Sequence, residues 1–183
     1  MSLKDQLYQD NYLVVNNFIS KENAINLFKH IKEVFQLHPE IFSIDSQCSK
    51  SVSIYNYRWF LELLIYKLPL LAEIIEEPVF PTYTYTRLYK NGEVLTKHTD
   101  RPACEISVTM HLDSDGTSWP LYFTKPNGEI VSIELEPGQA VIYLGMESEH
   151  WRDEFKGQEY GQVFLHYVKC RGNYWNHYFD RAN

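Results

Sequence analysis

The sequence predicts an α+β fold, mainly β, with an N-terminal helical layer packed on one sheet of a C-terminal antiparallel sandwich or barrel. Apolar side chains recur at helical spacing in the first 79 residues, whereas the chain after Pro78 consists of short alternating or β-branched runs. Turn dipeptides such as Asn91-Gly92 and Pro137-Gly138 separate those runs. The 183 residues contain no linker-like stretch and no internal repeat, so a single domain over 1–183 is expected.

The N-terminal layer begins with a predicted strand and a predicted helix. Residues 12–19 are apolar and β-branched, which is typical of a strand. Ser20 stands where a helix N-cap is expected, because apolar residues at helical spacing follow it, and Pro39 ends that helix. The polar stretch from there to Ser53 is interpreted as a connection.

A second helix, a β-rich core and a short C-terminal segment complete the predicted domain. The helix starts at about Tyr57 and is broken or restarted at Pro69. The domain therefore divides into a helical support region over 1–79, a β core over 80–170 and a C-terminal segment over 171–183. The aromatic residues of that segment either close one end of the barrel or rim an entrance to it.

Composition and charge argue against several classes of function. With 17 Lys and Arg against 24 Asp and Glu, the formal net charge is −7 and no basic cluster stands out, so no nucleic-acid partner is expected. The sequence contains no apolar run long enough for a membrane helix, and the polar N-terminus lacks the features of a secretory signal. We therefore expect a cytoplasmic protein without a membrane partner, and the oligomeric state stays open. Cys48, Cys104 and Cys170 are odd in number and widely spaced, which favours reduced thiols over disulfides.

Three side chains have the spacing of a metal site. His98 and Asp100 are two residues apart, so on a strand their side chains would lie on one face. His150 follows residues 140–144, which are typical of a fully buried strand, and a two-layer β fold can bring such distant strand ends together. Two imidazoles and one carboxylate form a facial set with open positions, typical of non-haem Fe(II) oxygenases, although zinc could also occupy it.

A wider set of motifs resembles a known family. Tyr-Lys-Asn-Gly at 89–92 follows a predicted strand, residues 105–112 alternate between apolar and polar side chains, and Glu-Pro-Gly at 136–138 precedes the buried strand. In this order around the three candidate ligands, they resemble the 2-oxoglutarate/Fe(II)-dependent oxygenases, and within them the prolyl-4-hydroxylase-like branch. The resemblance is close over about residues 80–170.

The resemblance implies a fold, a metal and a reaction. The fold would be a double-stranded β-helix, or jelly roll, with Fe(II) held by His98, Asp100 and His150 at one mouth of the barrel. The cosubstrates 2-oxoglutarate and O2 would take the remaining metal positions, with ascorbate as a possible reductant. The implied activity is a dioxygenase reaction that hydroxylates an unactivated C–H bond, first of all on a prolyl residue of a peptide or protein, with succinate and carbon dioxide as coproducts.

Two alternatives stay open at this point. The same chemistry could act on a small metabolite or a free amino acid. A non-catalytic jelly-roll binding module could also keep the fold without the activity. This second alternative arises because the family usually has a basic residue about ten positions after the distal histidine, where it binds the far carboxylate of 2-oxoglutarate, and this chain has Tyr160 there.

Three basic residues could replace the missing one. Arg87, which shares a strand face with Tyr89, is the first candidate, followed by Arg152 and Lys156. A guanidinium suits bidentate pairing with a carboxylate. Each arginine is equally compatible with a structural ion pair or a solvated surface charge.

The other candidate residues lie on two predicted strands. Thr109 and His111 belong to the polar face of 105–112, which either meets solvent or lines the barrel, and Gln162 and His166 share a face on the last strand. His166 could instead be a hydrogen-bonded core residue. The residues expected to contact the cosubstrate are Arg87, Tyr89, Thr109, His111, Arg152, Tyr160, Gln162 and His166.

Overall fold

Two antiparallel sheets form the body of the protein in the computed structural model, which describes residues 2–181. The strands of this part of the chain are β1 (Tyr12–Val15), β2 (Ser43–Asp45), β3 (Cys48–Tyr55), β4 (Val79–Lys90), β5 (Leu95–His98), β6 (Ile106–Ser114), β7 (Leu121–Thr124), β8 (Ile130–Ile133), β9 (Ala140–Leu144), β10 (His150–Arg152) and β11 (Glu159–Lys169). The larger sheet has the order β1-β9-β6-β11-β4-β3-β2, and the smaller one β5-β10-β7-β8. Both sheets therefore pair strands that are distant in the sequence.

Four α-helices belong to the N-terminal layer, and short 3-10 segments follow in the loops. The helices are α1 (Leu3–Asp10), α2 (Lys21–Leu37), α3 (Arg58–Tyr66) and α4 (Leu68–Ile75). The 3-10 segments are Pro39–Ile41, Pro102–Cys104 and Trp175–Asp180. The apolar stripes of the helices pack against the larger sheet in one continuous core that includes Phe28, Ile31 and Leu64. Burying each such side chain contributes about 1.5–3 kcal/mol.

Strand β6 separates this outer core from the space between the sheets. Its apolar side chains, from Ile106 to Leu112, face the helices, whereas Ser107, Thr109 and His111 face the barrel interior. Both sets are buried, so the polar face of β6 lines the barrel and does not meet solvent. The interior is otherwise filled by a second apolar cluster with side chains from both sheets.

Several predicted features are confirmed in detail. The Oγ of Ser20 accepts a hydrogen bond from the backbone N–H of Asn23 at 3.2 Å, as an N-cap should. Helix α2 ends at Leu37, before Pro39, and the second helical segment divides into α3 and α4 with Pro69 in the first turn of α4. The strand predicted over 12–19 is shorter and ends at Val15.

Two predictions for the N-terminal region were incomplete. The polar stretch read as a connection contains β2 and most of β3, which extend the larger sheet beyond β4. Serines and a lysine in the first half of β3 hide the period-two pattern, although Val52 and Ile54 pack against the apolar core and the strand pairs with β4. Helix α1 was not predicted; a capping box between Ser2 and Asp5 starts it. In residues 2–181, no helix has the length and apolarity required to cross a membrane.

Candidate metal centre and its cavity

His98, Asp100 and His150 converge at the end of the smaller sheet. His98 is the last residue of β5 and His150 the first of β10, and the two are direct cross-strand partners. Their ring centroids are 4.3 Å apart, and the Nε2 atom of each lies 3.7 Å from Oδ1 of Asp100. The structure therefore directs two imidazoles and one carboxylate oxygen to a common point.

Backbone carbonyls fix both imidazoles in the same tautomer. The Nδ1 of His98 lies 2.7 Å from the carbonyl of Thr96, and the Nδ1 of His150 lies 2.9 Å from that of Ser148. A carbonyl only accepts, so Nδ1 carries the proton in both rings and Nε2 keeps its lone pair toward Asp100. Burial also lowers the pKa of His150, which keeps it neutral. Histidines that hold metal ions are usually oriented in this way.

Asp100 lies just beyond β5 and is held by its loop, which corrects the expectation that it shares a strand face with His98. Its backbone N–H donates to the carbonyl of Gly145 at 2.8 Å, and its Oδ2 accepts from the Ser107 hydroxyl at 2.7 Å. A Cβ on Gly145 would lie 2.7 Å from Oδ2 and overlap the Cys104 carbonyl. The backbone at Gly145 therefore packs so closely against the Asp100 carboxylate that no Cβ atom fits at position 145.

The three side chains open into a cavity of about 420 Å³, a size that suits a small ligand. Its polar wall includes Arg87, Arg101 and His166, and aromatic rings surround these groups. The lining residues are Asp45, Gln47, Tyr55, Tyr83, Tyr85, Arg87, Leu95, His98, Thr99, Asp100, Arg101, Cys104, Tyr143, His150, Phe164 and His166.

Arg87 lines the cavity, but its charge is already paired. Its Nη2 lies 2.6 Å from Oδ2 of Asp45, and its Nη1 donates to Gln47 at 3.3 Å. Burial acts to raise the pKa of Asp45, yet the hydrogen bond from Tyr85 and the charge of Arg87 outweigh it and hold that pKa below its usual value. The carboxylate partner comes from β2, which the sequence did not predict.

Arg152 is buried behind the cavity. It lies two residues after His150 on β10, and its guanidinium donates to Oε1 of Gln162 at 2.8 Å and to the carbonyl of Trp119. It also lies over the rings of Trp119 and Tyr160. No carboxylate of the described chain forms an ion pair with it at 4.0 Å or less. Arg152 is thus a buried cation without a counter-ion.

The other predicted cosubstrate residues except His166 form a layer beneath the cavity and do not line it. Gln162 donates from Nε2 to the Thr109 hydroxyl at 2.9 Å. The ring of His111 stacks on Tyr160 with centroids 4.2 Å apart, and its Nδ1 lies 2.7 Å from a backbone carbonyl. The Nε2 of His111 is buried and has no hydrogen-bond partner among residues 2–181. Tyr89 is fully buried beside this layer.

Lys156 takes no part in the site. Its side chain is 70% exposed and forms an ion pair with Glu154 on the surface. The third candidate for the missing basic residue is therefore excluded by its position, since an exposed ammonium cannot reach the barrel interior.

His166 lies at the cavity wall, in contact with the support of Asp100. Its Nδ1 is 3.0 Å from the Ser107 hydroxyl, and its ring packs against Tyr83. Burial lowers its pKa to about 4, so it is neutral near pH 7. The nearby Cys104 is a neutral thiol as well, because burial raises its pKa to about 12.

Sequence reasoning missed the residues that rim the cavity. Arg101 forms a bidentate pair with Asp180 at 2.8 and 2.9 Å, and Tyr55 donates to the same carboxylate at 2.6 Å. The ring of Tyr83 lies beneath the Arg101 guanidinium. The C-terminal segment thus packs beside the entrance. The alternation of Tyr83 with Tyr85 and Arg87 was the one signal in the sequence that could have found part of this rim.

Several solved structures have the same fold as this chain, among them two prolyl hydroxylases. A Pseudomonas putida prolyl-4-hydroxylase superposes with a TM-score of 0.72 and 14% identity, covering 93% of this chain and 98% of that chain. A Trichoplax adhaerens prolyl hydroxylase in complex with a hypoxia inducible factor peptide has a TM-score of 0.70 and 13% identity, with 91% and 87% covered. HygX from Streptomyces hygroscopicus, with nickel and 2-oxoglutarate bound, has a TM-score of 0.72 and 9% identity, with 91% and 86% covered.

These likenesses concern the fold, because the sequence identities are low. The comparison confirms the predicted resemblance to 2-oxoglutarate/Fe(II) oxygenases, including prolyl hydroxylases, at the level of the fold. No protein-family model and no curated protein matches the sequence. Function must therefore be argued from the site.

Proposed function

We propose that this protein is a non-haem Fe(II)- and 2-oxoglutarate-dependent dioxygenase, built on a double-stranded β-helix, that hydroxylates an unactivated C–H bond. One observation carries the proposal: the unprotonated Nε2 atoms of His98 and His150 and Oδ1 of Asp100 face one point at a cavity, where the Gln47 amide donates to Nε2 of His98 at 3.2 Å and a metal ion would replace that hydrogen bond. Three protein donors on one face leave room for a bidentate keto acid and O2, whereas structural zinc sites are closed by four.

The residues of the site fit these cofactors. Bound Fe(II) would supply O2 activation, coupled to conversion of 2-oxoglutarate to succinate and carbon dioxide. The chain itself orients the imidazoles through the carbonyls of Thr96 and Ser148 and holds Asp100 through Ser107. Leu95 and Phe164 give the cavity wall an apolar part.

For the far carboxylate of 2-oxoglutarate, the geometry favours Arg152 over Arg87, which reverses the order expected from the sequence. Arg87 is neutralised by Asp45, whereas Arg152 is buried without a carboxylate. Two strand residues span about 6.6 Å, so the step from His150 to Arg152 is similar to the length of a five-carbon diacid. A carboxylate that displaced the Gln162 amide would give this cation its counter-ion.

For the substrate, we propose a prolyl residue in a peptide or protein. Aromatic rings surround the entrance, among them Tyr55, Tyr83 and Phe164, and Tyr55 is 46% exposed. Such rings offer flat apolar contacts to a pyrrolidine ring, and an entrance open to the surface lets a chain extend on both sides. The two prolyl hydroxylases among the structural neighbours support this choice.

A free amino acid is the second candidate, favoured by Arg101. This guanidinium follows Asp100, lines the cavity and binds a carboxylate of the protein, Asp180, in bidentate fashion. A substrate carboxylate could take the same position.

The test is turnover with a matched inactive variant. The protein is loaded with Fe(II) and given 2-oxoglutarate, O2 and ascorbate, with proline-containing peptides in one arm and free amino acids in the other. We expect succinate together with a substrate that gains one oxygen atom, both measured by mass spectrometry, and neither with Asp100→Ala. Succinate at the level of that variant in every arm would contradict the proposal. Binding of a partner without any binding of 2-oxoglutarate would instead identify a non-catalytic binding module.

A further inference from the structure

A second group of donor atoms lies beside the candidate iron centre. One ligand atom from each of Asp100, Cys104 and His166 lies within 4.8 Å of the other two. We propose that these side chains bind a borderline divalent cation of the Zn²⁺ type at a second site, which shares Asp100 with the first. This inference goes beyond the oxygenase reaction and does not depend on it.

The two oxygens of Asp100 have different neighbours. Oδ1 lies 3.7 Å from the Nε2 atoms of His98 and His150, whereas Oδ2 lies 2.7 Å from the Ser107 hydroxyl, which also contacts His166 at 3.0 Å. A carboxylate can bind one cation through each oxygen. The second site therefore uses an atom that the first site leaves free.

His166 has an unprotonated ring nitrogen at the wall of the cavity. The Ser107 hydroxyl has one proton, which goes to the Asp100 carboxylate because that is its strongest acceptor. The same hydroxyl then accepts from Nδ1–H of His166 at 3.0 Å, so Nε2 of His166 is unprotonated. The ring lines the cavity, where an ion can arrive.

Cys104 determines which metal the second site prefers. It ends the 3-10 segment after Asp100, and its Sγ lies 3.1 Å from the Tyr83 hydroxyl. Thiolate sulfur favours Zn²⁺, whereas the first site, with nitrogen and oxygen donors alone, suits Fe(II). Binding forms an S–Zn bond as the S–H bond breaks, and the proton passes to solvent without any change of oxidation state.

The three donor atoms need to move only a short distance to reach zinc coordination geometry. Zinc bonds of about 2.0–2.3 Å in a tetrahedron place neighbouring donor atoms roughly 3.3–3.8 Å apart. The donor atoms here lie within 4.8 Å, so inward movements of about 1 Å complete the set. A cavity water or the Tyr83 hydroxyl supplies the fourth donor. Zinc at the second site then shares the Asp100 carboxylate with the metal ion at the first site. Repulsion between the two dications weakens metal binding at the first site.

Cobalt(II) is the probe that separates the two sites. Sulfur ligation of Co²⁺ gives an intense thiolate-to-metal charge-transfer band in the near ultraviolet, which the sulfur-free first site cannot give. We expect this band and two bound Co²⁺ per chain in the wild-type protein. The double variant His98→Ala/His150→Ala should keep the band and bind one ion.

Cysteine and histidine variants provide the complementary arm. Cys104→Ala and His166→Gln should lose the band and still bind one ion, whereas Cys170→Ser, which removes a thiol outside the cavity, should keep the band. Near-ultraviolet circular dichroism of the metal-free proteins shows that each is folded.

Two outcomes would overturn the inference: a wild-type protein without the band at two equivalents of Co²⁺, or a band that survives Cys104→Ala. Zinc K-edge absorption on zinc-loaded wild-type protein needs no variant. One sulfur neighbour is expected, and a spectrum without sulfur would count equally against the second site. Neither result depends on turnover, so loss of the hydroxylase proposal would leave this test unchanged.

Discussion

Arg152 lies two residues beyond His150 on β10, so a buried guanidinium without a carboxylate partner among residues 2–181 shares a strand with a candidate metal ligand. A buried charge that lacks a counter-ion costs several kcal/mol unless hydrogen bonds and rings compensate for it. In this protein Gln162, Trp119 and Tyr160 provide partial compensation. This relationship connects the metal centre to the proposed site of the far carboxylate.

Arg152→Met should separate stability from cosubstrate binding. Removing the unpaired buried cation leaves the free energy of unfolding of the metal-free protein unchanged or higher, because the replacement is apolar and of similar length. The affinity for 2-oxoglutarate should fall about 10- to 100-fold, the loss of charge-assisted hydrogen bonds worth about 1.5–3 kcal/mol. Titration calorimetry on the Mn²⁺-loaded protein in the absence of O2 measures the affinity for 2-oxoglutarate.

Arg87→Met serves as the control for that prediction. It leaves Asp45 without its cation and so should lower stability, while its effect on 2-oxoglutarate affinity stays within a few-fold. The opposite pattern, with tight binding in Arg152→Met and weak binding in Arg87→Met, would restore Arg87 as the anchor.

Gly145→Ala should displace Asp100. The added methyl group would lie 2.7 Å from Oδ2 of Asp100 and overlap the carbonyl of Cys104, so the loop must move. We expect a loss of about 1–3 kcal/mol in stability by urea unfolding and at least tenfold weaker Mn²⁺ binding. Gly172→Ala is the comparison, since its Cβ would meet the Lys169 side chain at 3.1 Å and the Glu105 carboxylate at 3.2 Å, and none of these residues lines the cavity. Equal metal affinity in both variants would show that Gly145 does not support the site.

Ser107→Ala should weaken metal binding while leaving the ligands in place. Its hydroxyl is 2.7 Å from Oδ2 of Asp100, and removing the support of a ligand typically lowers metal affinity 10- to 100-fold. Thr109→Ser, on the same face of β6 but bonded to Gln162, should retain the affinity. A Ser107→Ala protein with wild-type Mn²⁺ affinity would contradict this role.

His166 should make stability fall in mildly acidic solution. Its pKa is about 4 in the folded protein against an ordinary value of 6.5. Between these values the unfolded chain binds a proton that the folded chain does not, so the free energy of unfolding decreases as pH falls, by up to about 3 kcal/mol. Urea unfolding of the metal-free protein across this range should show a shallower pH dependence for His166→Gln. His111 and His150, whose pKa values burial also lowers, account for the remaining slope. An unchanged pH dependence in His166→Gln would exclude this assignment.

The sequence was sufficient for the mainly β fold and the helical layer, which follow from local patterns: strand-forming runs, helical spacing and an N-cap at Ser20. The meeting of His98 with His150 was implied by the family resemblance, because it depends on the long-range pairing of β5 with β10. The expectations of a cytoplasmic location and of no nucleic-acid or membrane partner stay predictions.

Long-range contacts account for what the sequence could not show. The preference for Arg152 over Arg87 depends on the ion pair between Arg87 and Asp45, and Asp45 comes from β2, a strand too short to show a pattern. The proximity of Cys104 to His166 arises because β6 and β11 pair over more than fifty residues of separation. Pairing between distant strands sets both relationships, and no local pattern encodes it.

The most direct test of the account is a crystal structure of the protein with Mn²⁺ and 2-oxoglutarate bound in the absence of O2. The metal is expected at about 2.0–2.2 Å from Nε2 of His98, Oδ1 of Asp100 and Nε2 of His150, with the far carboxylate on Arg152. A metal held by any other set of atoms, or a triad that remains metal-free at saturating Mn²⁺, would contradict it.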